Sequence, residues 1–464
     1  MTQPRRLLDR TLDGLLRAWR GRLAVAGRGP RPPGTDLASL RRQIDDCLSA
    51  RGGEASARAR AAELGQSYLS LDEAGRVGFL ELLAKDYGVA PAEVERTLQG
   101  WQAAADDVAR ALAERQLRAI LVPPRIRLLS QFNVLPQGVK FLVDLRAGLM
   151  RLAQARPKFR GFDAELRELL ASWFDIGFLD LRRITWQASA SLLEKLIAYE
   201  AVHAIRSWDD LKNRLDSDRR CYAFFHPSMP EEPLIFVEVA LLNGLADNVQ
   251  ALLDEAAPQL DPEEADTAIF YSISNAQAGL AGVSFGDFLI KQVVDALLHD
   301  LPRLVTFATL SPVTGFAGWL AERRRAGGES LFQPQEARAL VGVTGAGEPL
   351  EALLSLLSRP AWPDDPAAVA ALKTPLLRLC ARYLTLERQG GRAADRVAHF
   401  HLSNGARLER INWLSDRSAN GLAQSAGIMV NYLYRLSDIE QNHESYRGEG
   451  KVTASMAVLR LAAA

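Results

Sequence analysis

Residues 267–298, TAIFYSISNAQAGLAGVSFGDFLIKQVVDALL, decide the fold class of this 464-residue chain. The first eight residues are rich in β-branched and aromatic side chains and predict a strand. Glycines at positions 279, 282 and 286 mark a loop, and the apolar residues after them recur at helical spacing. A strand, a glycine-rich loop and a helix in succession predict an α/β domain.

The sequence on both sides of this unit repeats the mixture of strands and helices. Runs rich in β-branched and aromatic residues predict further strands at 178–186, 234–242, 303–311, 397–405 and 408–414. Helix-like segments lie between the strands, at 189–202, 248–257, 286–300, 334–342 and 349–358. We therefore expect residues 173–464 to form a mixed α/β domain.

Residues 1–172 have a different character. Leucines recur at helical spacing over 7–19, a Gly/Pro-rich loop follows at 27–34, and residues 55–118 are rich in strong helix formers. Pro91 suits the first turn of a helix, and the prolines of LVPPR at 121–125 end one. This part is predicted to be an all-α helical bundle used for packing or assembly.

Composition narrows the class of protein. Hydrophobic residues make up 48% and charged residues 24%, which excludes a wholly disordered chain. Lys+Arg and Asp+Glu both number 56, so the basic excess typical of a nucleic-acid binder is missing. Three scattered cysteines suit a reducing compartment better than a disulfide framework. The chain contains no apolar run of about 18 residues, so we expect no transmembrane helix.

The arginine-rich segment 1–34 leaves two interpretations open. Amphipathic basic segments of this kind include mitochondrial presequences. Asp9, Asp13 and the lack of serine in the segment argue against a presequence, and an arginine-rich composition throughout the chain explains it equally well.

The glycine-rich loop is the first candidate site. Glycines let backbone N–H groups approach a ligand, and a helix that begins near Phe285 or Gly286 would direct its positive end at the loop. Such a loop suits a phosphate group. It matches neither a P-loop nor a GxGxxG dinucleotide motif, and an ordinary strand-to-helix turn is the alternative. Lys291, about one turn into the helix, either assists or is a solvated surface lysine.

Two further segments contain groups that can act in catalysis. His399 and His401 lie in the predicted strand 397–405, where residues two apart share a face, but no third ligand stands nearby for a metal. One of the two can serve as a general acid or base, and a purely structural role is the alternative. Ser311 ends a predicted strand directly before Pro312, with no GxSxG elbow, so it either faces a cleft or begins a turn.

Five long runs together resemble the malonyl-CoA decarboxylase family. The resemblance extends over roughly residues 60–460 and is densest from 219 to 435, with the motifs in the family order. The runs are RRCYAFFHPSMPEEPLIFVEVAL at 219–241, AIFYSISNAQAGLAGVSFGDFLIKQVV at 268–294, FATLSPVTGF at 307–316, TPLLRLCARYL at 374–384 and FHLSNGARLERINWLSDRSANGLAQSAGIMVNYLY at 400–434.

The resemblance implies a fold, an activity and a set of residues. It implies a helical N-terminal domain, residues 1–172, joined to a catalytic domain of the GNAT acetyltransferase type, residues 173–464. The implied reaction converts malonyl-CoA to acetyl-CoA and carbon dioxide without a metal or organic cofactor, in a homo-oligomer, dimer or tetramer. The residues implied as catalytic are Ser311, His401, Tyr434 and Ser272. Those implied for CoA binding are Ala281, Gly282, Val283, Ser284, Phe285, Gly286 and Asp287.

The chemistry of decarboxylation fits these residues. Electrons released from a malonyl thioester flow into its own carbonyl, so the protein has to stabilise an enolate oxygen and deliver a proton to C2. We expect His401 to donate that proton and Ser311 to orient the carboxylate, and Asn404 and Tyr434 to donate to the enolate oxygen or the thioester.

The sequence also departs from the family. A loop glutamate of animal members is Ser284 here, so it is not an essential base in this chain. The chain ends in LAAA rather than in the peroxisomal tripeptide of animal members, which favours the bacterial cytoplasm. A CoA-dependent acyltransferase of the same fold and a non-catalytic acyl-CoA sensor are the alternatives, and neither a nucleic acid nor a membrane is expected as a partner.

Overall fold

The computed structural model describes residues 36–49, 53–174, 176–283, 289–326 and 331–464. The helix predicted over 7–19 and the loop predicted at 27–34 lie outside these residues. So do Ser284 to Asp287 of the predicted CoA-binding loop.

The described part of the N-terminal region is helical, as predicted. Its helices are α1 (Leu37–Leu48), α2 (Glu54–Leu69), α3 (Glu73–Asp86), α4 (Pro91–Gln102), α5 (Asp107–Ile120), α6 (Pro124–Ser130), α7 (Gly138–Ala155) and α8 (Arg160–Ala171). Aspartates at 36, 72 and 106 cap α1, α3 and α5 by accepting a backbone N–H three residues on. Prolines begin α4 and α6, where a missing N–H costs little.

Eight strands in the described residues form one mixed sheet. They are β1 (Asp180–Ile184), β2 (Arg219–Phe225), β3 (Ile235–Leu242), β4 (Thr267–Asn275), β5 (Thr306–Thr309), β6 (Ser311–Pro312), β9 (Arg407–Asn412) and β10 (Met429–Leu433). The order is β1-β2-β3-β4-β5-β10-β6, with β9 beside β10. Every pair is antiparallel except β4–β5. A separate hairpin joins β7 (Arg388–Gln389) and β8 (Arg392–Ala393).

The sheet opens between β4 and β5. The parallel pairing ends at Phe270 opposite Thr309, whereas β4 continues to Asn275 along β3. The β3–β4 register shifts next to Glu238, which leaves Tyr271 as an extra residue in β4. After Thr309 the chain continues into β6, which pairs with β10. The resulting gap lies at the centre of the sheet.

Helices cover both faces of the sheet. The C-terminal region contains α9 (Ala190–Tyr199), α10 (Trp208–Arg214), α11 (Val249–Leu252), α12 (Leu289–Asp300), α13 (Phe316–Ala326), α14 (Pro334–Thr344), α15 (Pro349–Leu357), α16 (Pro366–Leu386), α17 (Arg396–Ser403), α18 (Ala419–Ser425), α19 (Ile439–Glu449) and α20 (Met456–Ala463). One large core includes α12, α16 and the N-terminal helices, and smaller cores lie on the opposite face under α9 and α11. The mixed α/β architecture is confirmed.

One predicted strand is wrong. Residues 397–405 belong mainly to helix α17, because the Asp395 carboxylate caps a helix by accepting the backbone N–H groups of Val397 and Ala398. The alternation of polar and apolar residues in VAHFHL is typical of a strand, but the capping aspartate two residues before it indicates a helix. Residues two apart on a helix face different directions, so His399 and His401 do not share a face.

Other differences concern the extent of elements. The run predicted as one strand at 303–311 is divided between β5 and β6, and the helix predicted at 248–257 is only α11. Strands β2 and β10 and helix α16 were not predicted. Strand β2 begins with Arg219 and Arg220, which are buried in the structure, and charged residues rarely signal a buried strand.

The helical region packs closely on the turn that follows β4. Residues Ala278–Leu280 form a 3₁₀ turn against α7. A Cβ atom on Gly279 would stand 1.8 Å from the carbonyl oxygen of Val143. Only glycine fits at this close approach.

Among the described residues, no single helix is long and apolar enough to cross a membrane. Helices α14 and α15, bent by 53° at their junction, meet the length and composition test only as a pair.

Gly279→Ala should lower the free energy of unfolding by about 3 kcal/mol, since α7 and the turn must separate to admit the methyl group. Chemical denaturation measures this change. Gly318→Ala in α13 is the matched control, because its Cβ meets no atom within 4 Å, and it should gain roughly 0.5–1 kcal/mol. Equal stability of the two variants would contradict the close packing of α7 on the turn.

Candidate functional site

Ser311 and His401 meet at the gap in the sheet. Ser311 begins β6, His401 lies in the last turn of α17, and Ser311 Oγ is 3.0 Å from His401 Nε2. The two residues stand 90 positions apart in sequence, and both side chains are buried. A hydroxyl in hydrogen-bond contact with an imidazole is an arrangement that can bind an anion and move a proton.

The pair belongs to a longer chain of hydrogen bonds. His401 Nδ1 is 2.8 Å from the Tyr434 hydroxyl. On the other side, Ser311 Oγ donates to Thr309 Oγ1 at 2.8 Å, and Thr309 Oγ1 also accepts the backbone N–H of Tyr432 at 3.2 Å. The His401 ring stacks on the Tyr432 ring, with centroids 4.6 Å apart. These contacts fix the imidazole at both nitrogens and on one face.

Asp395 connects the two segments that bear the pair. One carboxylate oxygen accepts the Val397 and Ala398 N–H groups at 2.9 Å and thereby caps α17. The other accepts the backbone N–H of Gly315, four residues after Ser311, at 2.9 Å. Burial raises the pKa of Asp395, which is 1% exposed, above its ordinary value. The carboxylate therefore holds the start of α17 against the loop that follows β6.

Burial determines the protonation state of the pair. Loss of solvent lowers the pKa of His401 from 6.5 to about 3. The same cause raises the pKa of the Tyr434 hydroxyl well above its ordinary value. At neutral pH the site therefore holds a neutral imidazole and a protonated phenol.

Two adjacent cavities, an inner one and an outer one, lie beside the pair and are together called the trench. A cavity of about 250 Å³ is lined by Ser311 and His401, and a larger one of about 610 Å³ is lined by Ala281, Gly282 and Val283. The two cavities share three of their lining residues, Ile235, Asn275 and Phe400. The described loop residues therefore line the cavity next to the one that contains the Ser311–His401 pair.

The trench is electropositive. Arg396 lines the inner cavity, and Arg392 and Arg447 line the outer one. No carboxylate occurs among the described residues that line either cavity. Cations in a cleft with low-dielectric walls attract anionic ligands.

The helical region holds the described part of the loop. The Arg146 guanidinium of α7 donates to the carbonyl oxygens of Gly279 at 2.7 Å and Ala281 at 2.9 Å, and to Asp163 at 3.0 Å. Gly282 has φ of +77°, which favours glycine at this position. Lys291 is exposed on α12.

Two other candidate residues have their own partners. The Ser272 hydroxyl donates to the buried Glu200 carboxylate at 2.8 Å, and Ser272 does not line either cavity. Asn404 ends α17 and lines the outer cavity, and its Nδ2 donates to the Phe400 carbonyl at 2.8 Å. The Asn404 Oδ1 atom is buried without a hydrogen-bond partner.

His399 lies apart from the pair. Its Nδ1 is 2.9 Å from the Tyr446 hydroxyl, and its side chain lines the outer cavity. Among the described residues, no three His, Cys, Asp or Glu side chains cluster in a way that could hold a metal ion. Cys47, Cys221 and Cys380 are buried thiols.

Sequence reasoning missed Asp395, Thr309 and the cavity arginines. Asp395 was detectable as a helix cap two residues before the VAHFHL run. Thr309 stands in the same motif as Ser311, two residues earlier, where a strand places both side chains on one face. No local pattern singled out the three arginines among the many in the chain.

The comparisons with known proteins identify the family. A family model described as the malonyl-CoA decarboxylase C-terminal domain matches residues 177–464, and one described as the N-terminal domain matches residues 87–174. The chain is 40% identical over 420 residues to the mitochondrial malonyl-CoA decarboxylase of Anser anser anser, covering 87% of this chain and 83% of that protein. The Rattus norvegicus protein of the same name is 39% identical, with 88% and 86% covered.

Comparison with solved structures supports the same family. The malonyl-CoA decarboxylase crystal structure from Rhodopseudomonas palustris has a TM-score of 0.84 at 42% identity, over 92% of this chain and all of that one. The structure from Agrobacterium vitis has a TM-score of 0.81 at 42% identity, over 91% and 99%. This chain therefore belongs to the malonyl-CoA decarboxylase family.

His401 should make stability depend on pH. Its folded pKa of about 3 lies below 6.5, so the unfolded chain binds a proton that the folded chain excludes. This contribution is fully present above pH 6.5 and declines as the pH falls, by about 2 kcal/mol between pH 6.5 and 5. Urea unfolding at both pH values should show that the free energy of unfolding falls by about 2 kcal/mol less in His401→Asn than in the parent when the pH is lowered from 6.5 to 5.

His299→Asn, an exposed histidine in the last turn of α12, is the control and should follow the parent. An equal loss in His401→Asn and the parent would show that His401 is not kept neutral by burial.

Proposed function

We propose that this chain decarboxylates malonyl-CoA to acetyl-CoA and carbon dioxide at the Ser311–His401 pair. The observation that supports this best is the position of the pair, hydrogen-bonded at 3.0 Å, in the inner cavity of an electropositive trench. The substrate matches such a space, because its phosphates and carboxylate are anionic and its pantetheine arm is long and thin.

We propose that the outer cavity binds the CoA phosphates. Arg392 and Arg447 supply positive charge there, and the turn around Gly282 supplies backbone close to the ligand. The remaining loop residues, Ser284 to Asp287, stay predicted members of this site. The pantetheine arm would pass Asn275 and Phe400 and reach the gap between β4 and β5.

A GNAT-like catalytic domain remains part of the proposal. It is supported by the bulged β4, the parallel β4–β5 pair and the gap beyond Phe270, into which the acyl group would fit. We also propose the boundary between the helical and catalytic domains near residue 172. This position lies between the end of α8 and the start of β1.

The chemistry proceeds in two steps. On substrate binding, the Ser311 hydroxyl turns its proton from Thr309 to the malonyl carboxylate. It holds that group out of the thioester plane, so that the breaking C–C bond overlaps the carbonyl π-system. The electron pair of that bond moves into the carbonyl, carbon dioxide leaves, and an enolate remains. Asn404 stays the predicted donor to the enolate oxygen or the thioester, although it lines the outer cavity rather than the inner one. His401 then delivers a proton to C2.

Tyr434 and Ser272 are proposed to act indirectly, through the side chains to which they are hydrogen-bonded. Tyr434 bonds to His401, and Ser272 bonds to Glu200, so both are proposed as positioning residues. The thioester carbonyl accepts the electrons itself, and we therefore propose that the reaction needs neither a metal nor an organic cofactor.

The first experiment incubates the purified chain with malonyl-CoA and follows acetyl-CoA by mass spectrometry, with and without a chelator. His401→Asn should lower kcat by about 10²–10⁴-fold, because general acid catalysis is lost. Ser311→Ala should also lower kcat strongly. His299→Asn and Ser358→Ala, both exposed, should retain the parental rate.

The outcome separates the alternatives. A kcat within threefold of the parent in His401→Asn would overturn the assignment of the proton donor. Tight binding with malonyl-CoA returned unchanged would favour an acyl-CoA sensor. Acyl transfer to added amines would favour an acyltransferase.

We further propose that the chain forms a homo-oligomer through the helical hairpin of α4 and α5. These helices pack against each other, and neither has a buried residue. Large apolar side chains nevertheless lie on them, with Val108 72% and Leu112 59% exposed. A second copy of the chain would cover this face. The bacterial cytoplasm is the proposed location, supported by the bacterial structures to which the chain is similar.

Replacing Val108 and Leu112 together by Asp should reduce the molar mass in solution, measured by light scattering after size-exclusion chromatography. Charged groups cannot be buried in an apolar interface without a large cost. Val305→Asp is the control, since Val305 is 77% exposed before β5. An unchanged mass in the hairpin variant would exclude this interface.

A further inference from the structure

Thr309 occupies a special position next to the reacting pair. It is completely buried, and its Oγ1 atom accepts two hydrogen bonds, from the Ser311 hydroxyl at 2.8 Å and the Tyr432 N–H at 3.2 Å. The Thr309 backbone is fixed as well, because its carbonyl accepts from Asn431 Nδ2 at 2.8 Å. Thr309 is thus held in place independently of His401.

The direction of the hydrogen bond between Ser311 and Thr309 determines which atoms carry the protons in the row of hydrogen bonds from Thr309 to Tyr434. A serine hydroxyl has one proton and can donate only once. Because Ser311 donates to Thr309, its oxygen has to accept from His401 Nε2. A neutral imidazole with a proton on Nε2 has a bare Nδ1, which then accepts from the Tyr434 hydroxyl.

We infer that Thr309 is a positioning residue that holds His401 as the Nε2–H tautomer by turning the Ser311 proton away from the imidazole. In this arrangement the proton required by the product lies on the nitrogen that faces Ser311 and the inner cavity. The inference deepens the proposed function and rests on it for the catalytic consequence.

The proton transfer balances without charging the buried ring. Nε2 gives its proton to C2 of the enolate while the Tyr434 hydroxyl gives its proton to Nδ1, so the imidazole is neutral before and after. The Nε2–H form is restored when a water that enters the inner cavity gives a proton to Nε2 and Nδ1 returns its proton to the Tyr434 phenolate. The hydroxide that remains adds to carbon dioxide to form bicarbonate.

The tautomer is measured directly, in the unliganded protein. Long-range ¹H–¹⁵N spectra of the full chain labelled with [¹⁵N]histidine give different cross-peak patterns for the two neutral tautomers. The His401 signals are those missing from His401→Asn. The parent should show the Nε2–H pattern, and Thr309→Ser, which keeps the hydroxyl, should show it too.

Thr309→Val removes the acceptor at nearly constant volume. The Ser311 proton should then turn to Nε2, and the Nδ1–H pattern should appear. We expect kcat for decarboxylation to fall at least tenfold with KM within twofold, because the substrate contacts remain while proton delivery is lost. Thr309→Ser should restore kcat to within threefold of the parent. Thr385→Val, which removes another buried hydroxyl in α16, should leave kcat unchanged.

Tyr434→Phe supplies a second test should Thr309→Val fail to fold. It removes only a hydroxyl. The Nε2–H pattern should persist, because the hydrogen bond from Ser311 to Thr309 determines the tautomer of His401. An Nδ1–H pattern in the parent, or a switch in Tyr434→Phe, would overturn the inference. So would an unchanged kcat in a folded Thr309→Val.

The two proposals fail in different ways. If Ser311→Ala and His401→Asn retain full activity while the parent shows the Nε2–H pattern, the proposed catalytic site is wrong and the tautomer assignment stands. If those variants are inactive but the parent shows Nδ1–H, the site stands and the role of Thr309 is wrong.

Discussion

The site depends on one buried carboxylate. Asp395 caps α17 with one oxygen and binds the Gly315 N–H with the other, so the helix that bears His401 and the loop after Ser311 share one anchor. A charge at 1% exposure is tolerated because hydrogen-bond donors surround it, three of them backbone N–H groups. This shared anchor helps to bring two residues that are 90 positions apart in sequence to 3.0 Å from each other.

Exclusion of water then decides how the pair can act. A buried polar network is stable only when each donor has an acceptor, and such a network fixes geometry more firmly than exposed contacts do. Here the hydroxyl of Thr309, the hydroxyl of Ser311, the imidazole of His401 and the phenol of Tyr434 are hydrogen-bonded to one another in sequence. The same burial that makes His401 neutral forces its two nitrogens into different roles.

The helical region takes part in the site as well as in packing. Arg146 is 2% exposed and binds two carbonyls of the turn after β4, while Gly279 allows α7 to approach that turn closely. A guanidinium has donors in a fixed planar arrangement and can hold two carbonyls at once. The outer cavity therefore owes part of its wall to a segment more than 130 residues away from it in sequence.

The sequence by itself determined what local patterns encode. Helical spacing predicted the N-terminal helices, apolar runs predicted β1, β3, β4 and β9, and long motifs identified the family that the comparisons confirm. Tertiary structure decided the rest. VAHFHL is a helix because the Asp395 cap outweighs its alternation, and β2 is a buried strand despite two leading arginines, because burial is a property of the whole sheet. The roles of the site residues remain predictions. Their meeting at the gap in the sheet, however, is a long-range contact, and no local spacing encodes which hydroxyl accepts a proton and which donates one.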